Sequence, residues 1–148
     1  MKKVLSAGVL MLAAFGAWAQ TDVTVSSLSS DSATKSSFAA MVKGQHLPAW
    51  VARGGTGTPA KTVTLGGNAY QVVSACKPHD CTSERIAVLY TADGKTMTGV
   101  FSNVDEKTGT EKLTWLHVPD ALSIDGKTVL FAALSGSLEN HPDAFNYQ

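Results

Sequence analysis

Apolar and polar positions follow two periods along this chain, and an unbroken apolar run precedes both. Val4 to Phe15 is apolar except for Ser6 and Gly8, behind a basic start, Met1-Lys2-Lys3. Ala17-Trp18-Ala19 then matches the small-x-small rule of signal-peptidase sites, so residues 1–19 read as a signal peptide with Gln20 as first mature residue. The run is too short to span a bilayer comfortably and no stop-transfer cluster follows, so no membrane anchor is expected. Residues 20–31, rich in Ser, Thr and Asp, predict a loose or extended start. Phe38, Met41 and Val42 then recur at helical spacing; Ser32 or Thr34 can cap this helix, which runs to about Lys43 and stops at Gly44.

The period changes to two in the middle of the chain. Strands are predicted at 61–65, 70–76, 85–91, 96–104 and 111–117, separated by turn signals such as Gly66-Gly67-Asn68 and Ala92-Asp93-Gly94-Lys95. Pro119 to Ser123 suits a short helix. Asp125 can cap another over 127–134, ending at Gly136, although Thr128-Val129-Leu130-Phe131 also fits a strand. The tail from Asn140 reads as loop. Helix, about five strands, then helix is an α+β pattern: a single domain over 20–148, with an antiparallel sheet flanked by helices.

Charge excludes more than it suggests. The chain of 148 residues balances 12 Lys+Arg against 12 Asp+Glu. Loss of residues 1–19 removes Lys2 and Lys3 and no acid, which leaves a slight acidic excess and no basic patch for nucleic acid. Export to an oxidising compartment, here the periplasm, changes how the only two cysteines read. An isolated pair in that setting defaults to a disulfide, Cys76 with Cys81. A redox-active pair usually encloses two residues beside a helix start, and this one encloses four between strands. A zinc site would lack a fourth ligand, so neither metal nor cofactor is expected. No Ser-His-Asp, Cys-His or paired-carboxylate centre stands out, and the chain does not read as an enzyme.

The enclosed residues are Lys77, Pro78, His79 and Asp80. Antiparallel neighbours stand about 4.5–5.5 Å apart, so a disulfide can close this hairpin without strain. Pro78 locks one more torsion. Such a tip protrudes on the order of 7 Å, enough to plug a shallow cleft. A protonated His79 donates from two ring edges and suits two carboxylates facing one another, as in retaining glycosidases, where they lie about 5–5.5 Å apart. Asp80 and Lys77 could reach the rim or orient His79. These could equally be ordinary polar residues on an exposed turn. His46, His117 and His141 have no ligand spacing, and Trp50 and Trp115 sit in apolar, core-like patterns.

The string Cys76-Lys77-Pro78-His79-Asp80-Cys81 resembles the signature of the Ivy family, periplasmic inhibitors of vertebrate (c-type) lysozyme. Leu47-Pro48-Ala49-Trp50-Val51, Arg85-Ile86-Ala87-Val88, Glu111-Lys112-Leu113-Thr114-Trp115-Leu116 and the run from Asp120 to Phe131 are similar to that family too. The resemblance implies an antiparallel sheet with helices on both sides, a homodimer, and a loop that enters the lysozyme cleft. There His79 would engage the catalytic carboxylates, and Asp80 would fix the histidine or contact the enzyme. Cys76 and Cys81 match the family disulfide. The bacterium's own lytic transglycosylases are an alternative target. A thiol-disulfide oxidoreductase and a non-inhibitory binding module remain the rival classes.

Overall fold

The computed structural model describes residues 22–148. The predicted signal peptide, residues 1–19, lies outside the described residues. Five α-helices, α1 (Val25–Ser30), α2 (Lys35–Met41), α3 (Trp50–Arg53), α4 (Asp125–Ser135) and α5 (Ser137–Asn140), accompany six strands. The strands are β1 (Thr56–Gly57), β2 (Lys61–Leu65), β3 (Asn68–Lys77), β4 (Asp80–Tyr90), β5 (Met97–Val104) and β6 (Glu111–Leu116). They form one antiparallel sheet in the order β1-β3-β4-β5-β6, with β2 beside β1 on the same edge of β3. The five expected strands are present; the sixth, β1, is a two-residue strand next to Gly54 and Gly55.

Both faces of the sheet are covered, which explains the continuous burial from Ile86 to Tyr90. Alternation along β4 sends Ile86, Val88 and Tyr90 into one core with Val25, Leu28, Phe38 and Met41 of the N-terminal helices. It sends Ala87 and Leu89 into a second core with Val129, Leu130 and Leu134 of α4. Close packing on the first face depends on Gly99: a Cβ there would lie 2.7 Å from the Ala87 carbonyl oxygen and 3.3 Å from Met41 Sδ.

Two local expectations fail for identifiable reasons. The serine-rich start is not loose: Thr24 Oγ1 accepts from Ser27 N (3.1 Å) and Ser27 Oγ accepts from Thr24 N (2.8 Å), a reciprocal cap that starts α1. Burial of Val25 and Leu28 then holds the helix down, and packing overrides weak propensity. Thr34 precedes α2 as expected, yet its hydroxyl donates to the Leu28 carbonyl (2.8 Å) and ties the two helices together instead of capping. The segment 128–131 is helical, and Gly136 (φ +80°) ends α4 in the left-handed conformation glycine favours. No helix among the described residues is long and apolar enough to cross a membrane.

Candidate functional site

The six residues Cys76–Cys81 form the turn between β3 and β4, the two strands at the centre of the sheet's contacts with both cores. Lys77 pairs with Asp80 as the last rung of the ladder, which leaves Pro78 and His79 as a two-residue connection. A disulfide joins Cys76 and Cys81 across Cα atoms 4.7 Å apart. Tight hairpins usually use turns with positive φ at the first central residue, which proline forbids. Here the positive φ falls on the second: His79 has φ +64°. Proline followed by a left-handed residue is the pattern of a type II turn, whose second position normally takes glycine or asparagine. A histidine held there costs about 1–2 kcal/mol. Strain of this kind gathers where a side chain is needed in one place.

Below the turn the ladder slips. Cys76 stands opposite Arg85, so residues 81–84 bulge from β4. The bulge supplies the contacts that hold the tip. Asp80 Oδ2 accepts from Lys77 Nζ (3.2 Å) and from the Ser83 hydroxyl, while Oδ1 accepts from Ser83 N (3.3 Å) and Thr82 Oγ1 (3.4 Å). The Ser83 hydroxyl, then Lys77, lowers the Asp80 pKa below the ordinary carboxylate value. The same pairing with Asp80, followed by the charge of Glu84, raises that of Lys77. Ser83 is buried, although its neighbours Cys81 and Thr82 are exposed.

A second brace ties the bulge to the core. Trp50 Nε1 donates to Glu84 Oε2 at 2.6 Å, and Asn103 Nδ2 reaches Glu84 Oε1 at 3.4 Å. The indole lies against Phe101, with ring centroids 6.3 Å apart. It also closes over Gly55, where a Cβ would meet Trp50 at 2.8 Å and overlap the Cys76 carbonyl oxygen. Trp50, expected as core, packs half-buried against the first core and props the loop from there.

Lys77, Pro78, His79 and Asp80 are brought together as the sequence suggests, with different partners. Lys77 and Asp80 bond to each other rather than to the imidazole. His79 is exposed and has no hydrogen-bond partner among the described residues, so both ring nitrogens are open to an incoming group. The contributions of Ser83, Glu84, Trp50 and Gly55 were not apparent in the sequence. The Asp80-x-x-Ser83 spacing, which suits an aspartate accepting from a residue just ahead, was the available signal. A groove of about 380 Å³, lined by Lys95, Met97 and His117, lies at the opposite end of β4 and β5 from this tip. No group of three His, Cys, Asp or Glu among the described residues could hold a metal ion.

Comparison with known proteins adds to this geometry. A family model described as "Inhibitor of vertebrate lysozyme (Ivy)" matches residues 33–137. The Escherichia coli (strain K12) protein named "Inhibitor of vertebrate lysozyme" is 61% identical over 148 residues, covering 100% of this chain and 94% of that protein. A Pseudomonas aeruginosa protein of the same name is 36% identical over 61 residues, 40% of each chain. A Yersinia pestis protein of unassigned function is 35% identical over 108 residues, 72% of this chain and 63% of its own length.

Proposed function

The chain belongs to the Ivy family, inhibitors of vertebrate lysozyme, and on that premise we propose that it blocks a c-type lysozyme by inserting the Cys76–Cys81 tip into the enzyme's cleft. The activity is inhibition, not catalysis. The observation that carries the reading is His79: exposed, left-handed, and unpartnered among the described residues at the apex of a closed turn. Its neighbours' charges are satisfied internally, so the imidazole is the group with bonding capacity left at the apex.

The chemistry matches a glycosidase cleft. Two carboxylates about 5–5.5 Å apart accept hydrogen bonds, and a protonated imidazole donates two from opposite edges. Such charge-assisted bonds are the strong kind. Disulfide, Pro78 and the Asp80 contacts fix the tip beforehand, sparing about 0.5–1.5 kcal/mol for each side chain that would otherwise be immobilised on binding. The slight acidic excess of residues 20–148 favours approach to a basic enzyme, while the tip itself brings a cation to acids.

The reading also includes removal of residues 1–19, a periplasmic location for residues 20–148, and a homodimer. Mass spectrometry of the mature protein tests the first, fractionation the second and sedimentation the third. The central test is a turbidity assay of cell-wall lysis by a c-type lysozyme. The parent protein should slow clearing at stoichiometric concentrations, and His79→Ala should weaken it roughly a hundred-fold or more. Equal inhibition by the two would sink the mechanism.

A further inference from the structure

We propose that Ser83 is a positioning residue for inhibition: it holds the Asp80 carboxylate with its hydroxyl and its backbone N–H, and through Asp80 fixes the turn that presents His79. The proposal rests on the reading of the tip as the inhibitory element, and extends it to a residue outside the disulfide ring.

Four observations carry it. Ser83 is only 8% exposed, beside exposed Cys81 and Thr82, and donates both its hydroxyl and its backbone N–H to Asp80. The ladder slips between Lys77 and Cys76, so no partner on β3 holds residues 81–84, and pairing with β5 begins only at Glu84. Asp80 is one half of the rung that closes the turn, and His79 is the residue just inside that rung. Finally, Glu84, next in the chain, is anchored to Trp50 at 2.6 Å. The path is continuous: core, Trp50, Glu84, Ser83, Asp80, His79. Lys77 also grips Asp80, but from a half-exposed side chain, where an ion pair is a weak and salt-sensitive tether. The buried hydroxyl is the grip that salt does not loosen. It is also the largest cause of Asp80's lowered pKa.

The test uses Ser83→Ala, Ser83→Thr, Asp80→Ala, the double variant Ser83→Ala/Asp80→Ala, and His79→Ala, with two readouts. The first is the carboxyl titration of Asp80 by NMR; the second is the inhibition constant against a c-type lysozyme. Ser83→Ala should raise the Asp80 titration midpoint and weaken inhibition about ten-fold, the effect of losing one bond to a charged group. Ser83→Thr keeps a hydroxyl and should restore both. In the Asp80→Ala background, Ser83→Ala should change inhibition less than about two-fold, because a residue acting through the Asp80 carboxylate has nothing left to hold. An unmoved midpoint overturns the proposal, as does an equal loss of inhibition in both backgrounds. His79→Ala separates the two readings. If it leaves inhibition intact, insertion of the tip fails, and the Asp80 midpoint still decides whether Ser83 holds the turn. If it abolishes inhibition while Ser83→Ala does not weaken it, the proposal for Ser83 fails alone.

Discussion

Replacing His79 with glycine should move stability and function in different directions. In the folded state His79 has φ +64°, a conformation that costs a β-carbon-bearing residue about 1–2 kcal/mol and glycine almost nothing. Glycine gives back roughly 0.4–1 kcal/mol through the greater freedom of its unfolded chain. The imidazole has no partner among the described residues, so its removal orphans no group. The net change is between about zero and 1.5 kcal/mol of stabilisation, which for a domain of this size raises Tm by no more than about 6 °C. In the lysozyme complex the same change removes two bonds to charged groups, each worth about 1.5–3 kcal/mol. Inhibition should then weaken by roughly two to four decades. Thermal unfolding and the turbidity assay, run on one preparation, measure both. His79→Asn is the control, because asparagine tolerates positive φ without glycine's entropy: it should be at least as stable as the parent and a poor inhibitor. A glycine variant that unfolds several degrees earlier, or that inhibits like the parent, contradicts the reasoning.

Three further outcomes follow from the same contacts. Replacing both cysteines with serine should lower stability by only about 2 kcal/mol, because so short a ring restricts the unfolded chain little; denaturant unfolding measures this, and inhibition should fall by more than the unfolded fraction explains. Gly99→Ala places a Cβ against the Ala87 carbonyl, so it should cost about 1–3 kcal/mol in thermal unfolding, and the molecules that remain folded should inhibit normally. Asp80 sets the acid limit of the tip: a carboxyl whose folded pKa is depressed contributes stability present above its unfolded value and lost as pH falls through the folded one. Backbone amide shifts of Lys77 and of residues 79–83 should therefore hold steady to below the ordinary aspartate range and then change together, and in Asp80→Asn that transition should vanish.

Alternating and continuous apolar runs are strong signals, and they placed all five long strands; the α4 stripe with Gly136 at its end did the same for the last long helix. The six-residue loop was legible because two cysteines behind a signal-peptide-like start have few other expected uses. The helix at Val25–Ser30 was not, because its composition argues against it and its stability comes from a local cap and from two side chains that reach the sheet. The supports of the loop were hidden for another reason. Trp50 and Glu84 lie 34 positions apart and meet only once the sheet is assembled. Ser83 acts from a bulge, and a bulge leaves no periodic mark, since it is a departure from the period.

The sheet's strand order bears on how the chain acquires its shape. From β2 to β6 each strand pairs with the next in sequence. Every pairing thus closes a short loop, and the entropy lost before a contact forms is small. The two cysteines are five positions apart and have no competitors. Oxidation therefore has a single intramolecular product, and the chain needs no isomerase to correct a wrong one.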